Sequence, residues 1–160
     1  MCQRRRSWLR ILGVPLLFLV WLAWPCAGAG AQDVSEVFFS PEEVRVPIDQ
    51  AVGVTIQIRD VVGLYAAQVA MQFDPSVIEI VDMQPGPLLQ DATPMGEVNN
   101  EAGSALYGLT LAAPAAPISG SGALIKFNVR GRSEGSSVLV LEVMLSNEAG
   151  VDWVKQSSGW

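Results

Sequence analysis

The side chains that could carry chemistry in this 160-residue chain exclude more than they suggest. It has no histidine, and its two cysteines are Cys2 and Cys26. Ser-His-Asp and Cys-His nucleophile systems and the usual zinc ligand sets are therefore out of reach. A glycosidase needs only two acids flanking a bond. Here, however, Asp49, Asp60, Asp74, Asp82, Glu101 and Glu148 fall at turns and strand ends, where a carboxylate caps backbone N–H groups or faces water. Asp33, Glu36, Glu42 and Glu43 lack the alternate-position spacing of a calcium loop. Ser119-Gly120-Ser121-Gly122 runs on into a strand pattern rather than the helix N-terminus that would cradle a phosphate. Sugar binding could use Tyr65, Tyr107, Trp153 or Trp160, but Tyr107 falls on an inward register and no period-2 aromatic row lines an outer face. The chemistry that remains is recognition by a surface: no enzyme, no cofactor and no metal are expected.

The N-terminus has the organisation of an export signal. Arg4, Arg5, Arg6 and Arg10 form a basic region, Ile11 to Trp24 an apolar one, and Ala29-Gly30-Ala31 a small-residue cleavage site before Gln32. The apolar run is shorter than the roughly 20 residues of a spanning helix, so cleavage is favoured over an uncleaved anchor. Arg5-Arg6 also resembles a twin-arginine signal, although the apolar region suits the general secretion route better. Residues 1–31 are thus assigned to a signal peptide and the protein to the extracellular space or cell surface. A chain starting at Gln32 has no cysteine, and six basic residues stand against 16 acidic ones, a net charge of about −10. Such a balance excludes nucleic acid, whose phosphates demand a basic surface. No membrane contact beyond the signal is expected.

The remaining length suits one domain held by a real core, and its periodicity is that of strands. Val52, Val54, Ile56 and Ile58 alternate with polar or small residues, and Asp60 to Gly63 reads as a turn. In the next strand Ala67, Val69, Met71 and Phe73 face inward, with Ala66, Gln68, Ala70 and Gln72 outward. Asp74-Pro75 makes a corner, because proline lacks an N–H and fixes φ. Val77 to Val81 then restarts a strand. Pro85 to Pro94 reads as a loop, Asn99 to Gly103 as a hairpin turn, and AAPAAPISGSG as a second loop. Tyr107 and Leu109 face inward, leaving Leu106 and Gly108 outward. Ile125, Phe127 and Val129 do the same, leaving Leu124, Lys126 and Asn128 outward. Ser137 to Leu145 forms a long apolar strand, a short strand closes near Val151 to Val154, and 156–160 is a tail. Eight or nine short strands separated by turns indicate an all-β sandwich or jelly roll.

Phe73-Asp74-Pro75 with its following strand, NNEAGSALYGLTL, PISGSGALIKFNV and LSNEAG occur in an order that resembles the cohesin family. The resemblance covers 34–155. It implies a nine-stranded jelly-roll β-sandwich, related in fold to some carbohydrate-binding modules. It also implies a non-catalytic role: holding a dockerin-bearing partner, whose own loops carry the calcium, in a polysaccharide-degrading or cell-surface assembly. The family docks its partner on one sheet face. The outward positions carried over are Ala66, Gln68 and Ala70, then Leu106 and Gly108, then Leu124 and Lys126. A polysaccharide-binding module on the same sandwich is the alternative function, and a structural spacer of a surface protein the third.

Overall fold

A computed structural model of the protein describes residues 35–147 and 150–159, with the backbone alone for residue 153 and 155–159. The expected signal at 1–31, the residues Glu148 and Ala149, and Trp160 lie outside the described residues. No helix among the described residues is long and apolar enough to cross a membrane.

The chain forms eight strands among the described residues: β1 (Glu36–Ser40), β2 (Ala51–Gln72), β3 (Ile78–Pro85), β4 (Thr93–Asn99), β5 (Ser104–Thr110), β6 (Ile118–Gly131), β7 (Val138–Asn147) and β8 (Gly150–Gly159). Two layers result because β2 belongs to both. Its first half pairs with β1 and β6, and β6 pairs in turn with β3. Its second half pairs with β5 and β7, which carry β4 and β8 at the two edges. Every pairing among these strands is antiparallel. Val54, Ile56, Phe127 and Ile80 from one layer meet Val69, Met71, Leu109, Leu141 and Val143 from the other in a single buried core. Phe39 and Phe127 meet there edge to face, with ring centroids 6.3 Å apart.

The turn expected at Asp60 to Gly63 is a bend inside one continuous strand, so β2 takes the place of two strands. Asp60 and Gly63 adopt positive φ, and the register against β6 shifts on either side of Val61. The SGSG segment, expected to be loop, makes this bend stable. Ser121 Oγ accepts a hydrogen bond from the Asp60 N–H at 3.0 Å, and Ser119 Oγ accepts one from the Gly63 N–H at 2.9 Å. Serine hydroxyls thus satisfy backbone donors that the shifted ladder leaves over, and β6 begins at Ile118 rather than after Gly122.

Two further boundaries move. The Pro85 to Pro94 loop contains a single 3-10 turn, Pro87–Leu89, and gives way to β4 at Thr93. Pro94 is tolerated because β4 is an edge strand. At the C-terminus the expected tail is the second half of β8, paired in continuous register with β7 up to Val138↔Gly159. The Asp-Pro corner stands as expected. Asp74 Oδ1 accepts bonds from the Ser76 N–H and O–H at 2.9 and 2.6 Å, which hold its carboxyl below the usual carboxylate range. Gly103 locks the hairpin against this corner: its φ is +67°, and a Cβ there would lie 2.3 Å from the Phe73 carbonyl oxygen.

Candidate functional site: the outer face of the β4-β5-β2-β7-β8 sheet

Side chains alternate across a strand, so burying Ala67, Val69 and Met71 forces Ala66, Gln68, Ala70 and Gln72 onto the outer face. The same parity holds for each neighbour, and the pairing registers align their outward residues into rows. One row runs Met95, Gly108, Gln68, Met144. The next runs Glu97, Leu106, Ala70, Glu142, and the one beyond it Asn99, Ser104, Gln72, Val140. Tyr107 lies on the inner side of β5, as expected, and burial raises its hydroxyl pKa.

Five of the seven expected site residues, Ala66, Gln68, Ala70, Leu106 and Gly108, therefore converge on one surface. The other two do not join them. Leu124, expected to point outward, is fully buried. Ile56 pairs with Ile125 and Gln57 with Ala123, so Leu124 is the extra residue of a β-bulge. The bulge turns two consecutive side chains inward, and the Leu124 carbonyl accepts the Gly86 N–H at 2.8 Å. Lys126 is exposed, but it pairs with Thr55 of β2 and Gln84 of β3. It sits on the outside of the opposite layer, beside Asp82 and Asn128.

The sequence reading missed the residues that give this face its character. Met95 is 80% exposed and Leu106 47%, while Val138 and Val151 are each 54% exposed. Four of the seven exposed large hydrophobic residues among those described thus belong to one sheet face. Val140 and Met144 are half-buried beside them. The alternation of Val138, Val140, Glu142 and Met144 with the buried Leu139, Leu141, Val143 and Leu145 was available as a signal in the sequence. Met95 was hidden by the prolines around it. A shallow depression of about 310 Å³ opens between Ala70, Gln72, Glu97, Ser104 and Leu106. No Lys, Arg or His occurs between Arg59 and Lys126, so β4, β5 and the second half of β2 contribute acidic charge only. No group of three or more metal-ligating acids occurs among the described residues. What the arrangement offers is a mixed surface on which Met95, Leu106, Val140 and Met144 stand beside Gln68, Gln72, Asn99, Ser104, Glu97 and Glu142.

Comparison with known families decides what kind of module presents this face. The Cohesin domain family profile matches residues 37–160. The chain belongs to the cohesin family. Cohesins are non-catalytic protein-binding modules. Three solved cohesins have the same fold at low identity. A non-cellulosomal cohesin from the archaeon Archaeoglobus fulgidus is 17% identical at a TM-score of 0.61, covering 78% of this chain and 82% of that one. A type II cohesin from the Acetivibrio cellulolyticus cellulosome is 15% identical at 0.62, covering 78% and 92%. A type I cohesin–dockerin complex from Clostridium thermocellum matches at 14% and 0.62, covering 77% and 92%. No curated protein matches the chain. This cohesin therefore shares its fold with these relatives.

Proposed function

We propose that this cohesin is an exported, non-catalytic receptor that holds a dockerin-type domain on the outer face of the β4-β5-β2-β7-β8 sheet. Its setting is a polysaccharide-degrading or cell-surface assembly. The observation that carries this reading is the convergence of Ala66, Gln68, Ala70, Leu106 and Gly108 with Met95 and Met144 on one sheet face. Small residues beside exposed aliphatic ones let a helix approach closely, and Gln68 supplies directional hydrogen bonds. Solved relatives in the family have been captured in complex with dockerins, and calcium would belong to that partner's loops.

The test is calorimetric titration of the purified protein with dockerin domains encoded in the same genome, in calcium and in chelator. Saturable binding in calcium that is lost in chelator is expected. Absence of binding to every such dockerin overturns the reading. If the protein were instead retarded by glycans in affinity electrophoresis, with the effect lost in Trp153→Ala, the carbohydrate-binding alternative would take its place. Export is checked by N-terminal sequencing of the secreted form, which should begin at Gln32.

A further inference from the structure

The outer face of the other layer, β3-β6-β2, carries a polar array that a β-bulge builds. Ile78 and Ile80 of β3 are buried, so unbroken alternation would turn Asp82 and Gln84 inward after them. The register shift between Ile80 and Asp82 reverses this: Met83 packs on the core, and Asp82 and Gln84 join the outer face. Bulges that re-aim side chains in this way are over-represented next to functional sites. Pairing then sets two adjacent rows across three strands. One row is Thr55, Lys126 and Gln84; the other is Gly53, Asn128 and Asp82. Together they line a shallow depression of about 300 Å³.

The polar atoms of this array hold one another in place. Asp82 Oδ1 accepts from the Asn128 side-chain Nδ2 at 2.7 Å and from its backbone N–H at 3.2 Å, and Oδ2 accepts from Gln84 Nε2 at 3.2 Å. With its amide nitrogen committed to Asp82, Asn128 turns its Oδ1 toward Gly53, where a Cβ would lie 3.4 Å away. Gly53 has no positive φ that calls for glycine. Its missing side chain instead leaves the depression open, as strand glycines do where a ligand comes close. The neighbouring arginines are paired, Arg59 with Glu36 and Arg130 with Glu79 at 3.0 Å each, whereas Lys126 has no partner among the described residues.

We propose that this depression binds a neutral, hydroxyl-rich polysaccharide chain. The balance of donors and acceptors decides the chemistry. Asn128 Oδ1, Gln84 Oε1 and the remaining lone pairs of the Asp82 carboxylate call for a ligand that donates, while the Lys126 ammonium and the Thr55 hydroxyl call for one that accepts. Neighbouring sugar hydroxyls do both at once. A carboxylate or phosphate ligand only accepts, and it would meet Asp82 with like charge. Because the amides and the carboxylate are fixed before the ligand arrives, little side-chain freedom is lost on binding. The site lies on the opposite layer from Gln68 and Leu106 and from the β8 strand that carries Trp153. It is therefore independent of the docking role: one face holds a protein partner and the other the polysaccharide.

The experiment is affinity electrophoresis of the purified protein through gels containing hydroxyethylcellulose, xylan or galactomannan, with polygalacturonate as the acidic comparison. Calorimetric titration with oligosaccharides of the retarding polymer follows. At least one neutral polymer should retard the wild type. Lys126→Ala and Asn128→Ala should each weaken binding by roughly tenfold. Gly53→Val, which fills the depression without removing a polar group, should abolish retardation. Trp153→Ala should bind like wild type, and the melting temperatures of Lys126→Ala and Gly53→Val should be at or above that of wild type. The proposal is overturned if no neutral polymer retards the protein, if polygalacturonate alone does, or if the Lys126 and Gly53 variants are retarded like wild type. Binding of dockerins to the wild type bears on the docking role alone, so the two readings fail separately.

Discussion

Asn100 takes the place of a peptide group. Its Oδ1 accepts the Ile80 N–H and its Nδ2 donates to the Ile80 carbonyl, both at 2.9 Å. A side chain in the hairpin thereby completes the β3 ladder just before the register shift that leaves Val81 as a bulge. Its neighbour Asn99 caps the same hairpin, its Oδ1 accepting the N–H groups of Glu101 and Ala102. The two asparagines of NNEAG, a segment that resembles the cohesin family, are therefore structural. Removing the amide leaves both Ile80 backbone groups unpaired beside a buried side chain. Asn100→Ala should cost about 1–3 kcal/mol in urea unfolding, with dockerin affinity unchanged once the protein is folded.

At the scale of elements, β6 shows how one extra residue reassigns a whole face. Upstream of the bulge its serines bond to the bent part of β2; downstream it alternates regularly, with Phe127 and Val129 inward and Lys126 outward. Leu124, at the bulge, adds to the core beneath the 3-10 turn that holds the buried Leu89. Two residues expected to behave alike should therefore separate sharply. Leu124→Ala should destabilise by about 2–5 kcal/mol, the range for emptying a buried leucine site. Lys126→Ala should stay within about 0.5 kcal/mol, as for an exposed residue. Equal midpoints for the two variants in urea would mean that the bulge does not form.

The whole molecule has a pH dependence set by what it lacks as much as by what it holds. From Gln32 onward the sequence has neither histidine nor cysteine, so no side chain there has an ordinary pKa between the carboxylate range and that of tyrosine or lysine. The Asp74 carboxyl is held below its usual 3.8 by the Ser76 bonds. The stability it contributes is complete above that value and lost as pH falls through the lower folded value. Tyr107 is shifted upward from 10.0 by burial, so its contribution is complete below that value and lost as pH rises through the higher one. The melting temperature should therefore be flat from about pH 5 to pH 9 and fall at both ends, with Asp74→Asn flattening the acid limb. An inflection near pH 6.5 would contradict this account.

The sequence by itself determined the layers and the class of function. Period-2 burial was legible in β2 and β5 because a strand half exposed to water must alternate. The absence of histidine set aside Ser-His-Asp and Cys-His nucleophile systems at the level of the sequence. Five of the seven expected site residues lay on regular stretches, where parity alone assigns the face, and all five meet on the observed surface. Only the tertiary structure decided the remainder, because each failure depended on pairing with another strand. The bulge at Leu124 exists only against Ile56 and Gln57, the bend at Asp60 only with the hydroxyls of Ser119 and Ser121, and β8 only along β7. The rows that set Met95 beside Gly108 and Glu97 beside Leu106 likewise come from the register between strands, which no local pattern specifies. A sequence states which way each side chain points along its own strand; the ladder decides which neighbours it has.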